Sequence, residues 1–138
     1  MGREDQVAGL FGTLRIDRKR ARVGDTIVFE FLVRNPTGKP ITVRFASGKR
    51  FDVEVSRRPE PNARYAKGAL VLWQFSRGLF FTAALGEETW KPGETRAFAA
   101  RWKVPAGTPA CEAEVKATLA AMGAPESLPT FADLRLEG

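Results

Sequence analysis

Residues 26–34 read TIVFEFLVR. Every second side chain (Ile27, Phe29, Phe31, Val33) is large and apolar, while Glu30 and Arg34 fall on the alternate positions. Successive side chains of a strand point to opposite faces, so this spacing gives one greasy face and one wet face. A helix would scatter the same four residues around its axis. The stretch therefore predicts a half-buried strand.

The same period recurs on both sides of a run of turns. ITVRFA (Ile41–Ala46) puts Ile41, Val43 and Phe45 inward, with Thr42 and Arg44 outward. RFDVEVSR (Arg50–Arg57) sets Phe51, Val53 and Val55 against Arg50, Asp52, Glu54 and Ser56. Further on come Phe98, Ala100 and Trp102, then Ala113, Val115, Ala117 and Leu119, and a weaker pattern in the tail FADLRLEG. Turn residues punctuate these runs. NPTGKP (Asn35–Pro40) ends one strand and starts the next, and Ser47-Gly48-Lys49 invites a hairpin. In KPGE (Lys91–Glu94), Pro92 and Gly93 take the second and third places of a type II turn. Only TAALGEETW (Thr82–Trp90) has the composition of a helical turn. The expectation is an all-β, antiparallel β-sandwich of about seven to nine strands with little or no helix. A length of 138 residues suits a single domain, 1–138, with no linker or repeat.

The run VLWQFSRGLFFTAAL (Val71–Leu85) is harder to place. Alternation assigns Trp73, Phe75, Leu79 and Phe81 to the core, but Phe80 must then face the other way. It either lies beneath a neighbouring loop or makes contact with a partner.

Composition narrows the chemistry. The chain has 43% hydrophobic and 28% charged residues, an ordinary globular balance. It has no histidine, which removes the commonest general base and the commonest zinc ligand. Ser76 has no histidine to activate it and reads as a turn residue bonding to nearby backbone. Cys111 is the only cysteine, so no internal disulfide forms, and its place at a strand start does not suggest a reactive thiol. The carboxylate pairs Asp52/Glu54 and Glu112/Glu114 sit on the outward faces of strands. No phosphate-binding glycine pattern is present. No catalytic residue, cofactor or metal is expected, and the protein is read as a non-enzyme. MGREDQ at the start lacks the apolar segment of a secretory signal, and no run reaches the ~20 apolar residues of a membrane span, so a cytoplasmic location is expected. The net charge of +6 is lopsided: residues 1–68 carry 15 Lys/Arg against 8 Asp/Glu. Nucleic-acid binding is a reading of that excess, but no recognition-module signature accompanies it, and none is expected.

Taken in order, these segments resemble the intracellular proteinase inhibitor (BsuPI) family. The likeness is strongest over residues 29–102 and rests on FEFLVRNPTGKPITVRFASGKRFDVEV, WQFSRGLFFTAAL and WKPGETRAFAARW. Asn35, Phe45, Ser47, Gly48, Phe51, Asp52, Trp73, Ser76, Phe81, Pro92, Gly93, Glu94 and Trp102 fall on the family pattern. The resemblance implies an immunoglobulin-like sandwich and inhibition of a subtilisin-like serine protease, with a protein as partner. It implies structural roles for the pattern: Trp73, Phe81 and Trp102 in the core, Asn35, Gly48, Pro92 and Gly93 in turns, and Asp52 capping a loop. Two segments could enter a protease cleft. One is the loop Arg57–Gly68, with Arg57, Arg58 and Tyr65; the other is the Ser76–Phe81 turn, with Arg77 and Phe80. A non-inhibitory interaction or scaffold module of the same fold is the alternative.

Overall fold

The computed structural model describes residues 9–58, 70–122 and 127–138. Among them are ten strands and no helix: β1 (Phe11–Ile16), β2 (Arg20–Arg22), β3 (Thr26–Arg34), β4 (Ile41–Phe45), β5 (Phe51–Arg57), β6 (Leu70–Gln74), β7 (Gly86–Trp90), β8 (Thr95–Lys103), β9 (Cys111–Leu119) and β10 (Ser127–Glu137). One sheet has the order β1-β3-β8 and another the order β2-β10-β9-β5-β6; β4 and β7 form a separate pair. All pairings are antiparallel except β2 with β10. The fold is an all-β sandwich. It has one strand more than the top of the expected range, and β2, only three residues long, is the shortest.

The inward faces of β3, β5, β8, β9 and β10 supply the core. Ile27, Phe29, Phe31 and Val33 are fully buried, as the alternation of TIVFEFLVR requires. They meet Val53, Val55, Val115, Ala117, Leu119, Leu134 and Leu136 from the opposite layer. The tail that read as a weak strand is an eleven-residue one, laid between β2 and β9.

Two long strands bend together. β3 pairs with β8 up to Arg34↔Thr95, and β4 pairs with β7 from Ile41↔Trp90. The second pair thus continues the first beyond a corner formed by residues 35–40 and 91–94. Asn35 pins that corner and is wholly buried. Its side-chain amide donates to the carbonyls of Lys39 (2.7 Å) and Trp90 (3.1 Å), and its Oδ1 accepts from Thr37 N and Oγ1. Its backbone N–H donates to Glu94 O, while its own carbonyl accepts from Gly93 N. A buried amide with every position filled is the arrangement that leaves no desolvation penalty uncompensated. The turn opposite is of the expected type, with Glu94 N donating to Lys91 O and Gly93 at φ 78°.

Four expectations need correction. Ser47-Gly48-Lys49 does not close a hairpin: β4 pairs with β7 and β5 with β9 and β6, so the chain changes sheets there. Residues 82–90 make no helical turn but run straight into β7, because Trp90 at its end is the largest fully buried side chain. Its indole N–H donates to Val33 O at 3.0 Å and Arg96 stacks on its ring. Leu79 and Phe81 are exposed rather than core residues. Finally, Asp52 and Ser56 are buried, so the second face of β5 is covered as well. Trp73 and Phe75 are half-buried in aromatic stacks: Trp73 lies between Phe29 and Trp102, each at 5.6 Å, and Phe75 lies 4.8 Å from Phe51.

Candidate functional site

After β6 the chain makes a double turn over Phe75–Gly78, closed by Arg77 N donating to Gln74 O and Leu79 N donating to Ser76 O. Asp52, at the start of β5, holds that turn. Its Oδ2 accepts from Ser76 Oγ (2.6 Å), Gln74 Nε2 (2.7 Å) and Lys49 Nζ (2.8 Å), and its Oδ1 from Ser76 N (3.0 Å). Burial pushes the Asp52 carboxyl up, but the bonds from Lys49, Ser76 and Gln74 and the Lys49 charge outweigh it and hold the group below its usual range. Ser76 is therefore bonded across the fold, not to its nearest backbone as its sequence context suggested.

From Leu79 to Leu85 the chain runs without turn, bend or ladder, and all seven residues are exposed. The segment is fastened at its middle, where Gly48 N donates to Thr82 O at 2.8 Å. The approach is too close for a larger residue: a Cβ on Gly48 would sit 2.7 Å from Thr82 Oγ1 and 3.3 Å from Thr82 N. Exposure alternates over its first three residues although no partner strand lies beside it among the described residues. Leu79 and Phe81 are 48% and 37% exposed, and Phe80 between them is 100% exposed. Of the two fates open to Phe80, burial beneath a neighbour does not occur among the described residues. Beside the far end of the segment, Arg44, Phe45, Leu85, Gly86, Glu87 and Met122 line a cleft of about 370 Å³.

The five residues expected to meet a partner do not form one surface. Arg77 is exposed at the turn, and among the described residues its side chain has no ion pair or hydrogen bond. Phe80 is three residues on. Arg57 ends β5 and Arg58 follows it, roughly 20 Å along the strand from the Asp52 end at strand rise. Arg57 is half-buried there, and Arg58 is ion-paired with Asp133 and Glu114. Tyr65 lies outside the described residues. The rest of the family pattern supports the body. Phe45 is buried beneath the Arg50 guanidinium, 4.4 Å above its ring, and the Ser47 carbonyl accepts from Arg50 Nη1. Glu88 ties Arg50 to Arg96, which also reaches Glu94.

Sequence reading missed Trp90, Thr82, Gln74, Leu85 and Met122. Trp90 ends a polar run, GEETW, with no apolar neighbour at spacing two to betray it. Gln74 and Thr82 matter only through partners 22 and 34 positions upstream. Burial raises the Cys111 thiol pKa, which leaves it a poor nucleophile. Among the described residues no group of three or more Cys, Asp or Glu is placed to hold a metal ion.

A family model described as intracellular proteinase inhibitor (BsuPI) matches residues 14–121. The chain belongs to this family. The match covers Asn35, Asp52 and the whole exposed segment. No curated protein matches the chain. Among solved structures it is similar to Spo0M, a sporulation control protein from Bacillus subtilis, at 16% identity and a TM-score of 0.62, over 95% of this chain and 50% of that one. The chain thus spans half the length of Spo0M. It is similar also to the CARDB domain of PF1109 from Pyrococcus furiosus (14% identity, TM-score 0.50, 93% and 94% covered). A third likeness is to the alkylpurine DNA glycosylase AlkC of Pseudomonas fluorescens (11% identity, TM-score 0.52, 95% and 31% covered). At these identities the likenesses speak to the fold alone, which is immunoglobulin-like.

Proposed function

We propose that this inhibitor-family protein is a non-catalytic, cytoplasmic domain that blocks a subtilisin-like serine protease, and that the Leu79–Leu85 segment with Arg77 is the surface that enters the cleft. The observation that carries this reading is the exposed, unladdered run of seven residues, held by the turn before it and by the Gly48–Thr82 bond at its middle. Protease clefts take substrates as an added strand, which needs free backbone groups in extended form. A segment fastened to its own fold at Ser76 and Thr82 loses less freedom on binding, and preorganisation of this kind favours tight association.

The Arg57–Arg58 end is less suited, since Arg58 is engaged by two carboxylates of its own fold. A protein partner also suits the basic half of the chain better than nucleic acid does. Arg15 pairs with Glu30, Arg18 with Asp25, and Arg20 and Arg22 with Glu137, so the arginines of the densest basic cluster are ion-paired within the fold. The 138 residues act as one unit in this reading.

Titration of the purified protein into a subtilisin assay tests it. Loss of activity that reaches its limit near one equivalent is the expected result. Undiminished turnover with the protein intact contradicts inhibition and favours the scaffold role.

A further inference from the structure

We propose that Phe80 is the side chain that selects the protease: it fills the primary specificity pocket of a serine endoprotease that cuts after large apolar residues, with Phe80–Phe81 as the bond presented. The inference rests on the inhibitory reading above and adds to it which enzymes are bound and by which residue. Three observations lead to it. First, among the large apolar residues of the segment Phe80 is the one whose side chain stands fully in solvent, with its neighbours Leu79 and Phe81 less exposed. A side chain that is to enter a pocket must project alone from an extended backbone, and alternation delivers that at Phe80. Second, neither Phe80 nor Phe81 makes a backbone hydrogen bond among the described residues, so both remain open to a cleft's own strands. Third, each side of the Phe80–Phe81 bond has its own fastening. Upstream, Ser76 is held by Asp52 through its hydroxyl and its N–H; downstream, Thr82 O is held by Gly48 N.

That double fastening explains how such a segment resists its target. When the protease serine attacks, its Oγ forms an ester with the Phe80 carbonyl carbon, the C–N bond to Phe81 breaks, and the serine proton passes through the protease base to the Phe81 nitrogen. The new amine is still tied to the body next to the ester. It attacks the same carbonyl carbon, returns the serine its proton, and restores the peptide bond. A loose loop would let the amine drift off and water complete hydrolysis. An aromatic side chain in a desolvated pocket is also the commonest type of interface anchor.

The test compares wild type, Phe80→Ala and Phe80→Arg against subtilisin and against trypsin. Because Phe80 is fully exposed, all three proteins are expected to unfold at the same temperature. Wild type should inhibit subtilisin. Phe80→Ala should weaken that inhibition about 100-fold, and Phe80→Arg should lose it and acquire inhibition of trypsin. A wild type that inhibits subtilisin beside a Phe80→Ala variant within about threefold of it overturns this inference and leaves the inhibitory reading standing. A wild type that inhibits neither enzyme overturns both.

Discussion

Asn35 and Asp52 do their work by being fully bonded at two different turns of the fold. Asn35 satisfies the carbonyls of Lys39 and Trp90 and both donors of Thr37 at the corner of the β3–β8 ribbon. Replacing it with Ala leaves several of these groups dry and unpaired, and Asn35→Ala should cost about 3 kcal/mol in urea unfolding. A loss under about 0.5 kcal/mol would mean that the corner is held by other means. Asp52 gathers Lys49, Gln74 and Ser76. Because its carboxyl pKa is lowered in the fold, the stability it contributes is fully present above the unfolded value, about 3.9, and is lost as pH falls through the folded value. Unfolding free energy measured across acid pH should therefore fall below about pH 4 in the wild type. In Asp52→Asn it should start about 1–2 kcal/mol lower at neutral pH and lack that part of the acid slope. An unchanged slope would show that other carboxylates govern it. The roles of both residues were partly legible, since a family-pattern Asn beside a turn and an Asp capping a loop are local expectations. Their actual partners were not, because Trp90 is 55 positions from Asn35 and Ser76 is 24 from Asp52.

The elements divide by how far away their partners lie. TIVFEFLVR, RAFAARW and AEVKATL declared themselves, because a strand with one buried face carries its evidence in its own alternation. The hairpin expected at Ser47–Lys49 failed for the converse reason. A tight turn reports only that the chain reverses, while the choice of partner follows from the β3–β8 ladder carrying on into β4–β7. TAALGEETW had the composition of a helical turn, and the burial of Trp90 against Val33 O overrode that preference. Phe80 shows the same split: its direction was readable from spacing, but its exposure depends on what else the fold brings near it. The element-scale test is the Gly48 brace. Gly48→Ala should lower unfolding stability by only about 1 kcal/mol, since the clash falls on an exposed segment. Inhibition should suffer more than stability does, because Thr82 and with it Phe80 are displaced. Removing the nearest clashing atom, in Gly48→Ala/Thr82→Ala, should restore part of the inhibition. Equal inhibition by Gly48→Ala and wild type would show that the segment needs no brace. In the Lys91–Glu94 turn, Gly93 sits at φ 78°, and Gly93→Ala should cost about 1 kcal/mol without touching inhibition.

On the scale of the molecule, the sandwich separates two ends. At one, Asp52, Gly48 and the double turn present Leu79–Leu85 to solvent; at the other, Arg58, Asp133, Glu114, Arg135 and Glu112 join in ion pairs that close the surface on itself. In the proposed reading, membership of the intracellular proteinase inhibitor family gives the first end its task, which is to fit a protease cleft. The most direct measurement is the amide NMR spectrum of the labelled protein as subtilisin with its catalytic serine blocked is added. Shifts and broadening should concentrate at Ser47–Arg50 and Ser76–Gly86 and spare Arg57, Arg58 and Asp133. Perturbation centred on Arg57, Arg58 and Asp133, with Phe80 unmoved, would contradict the account.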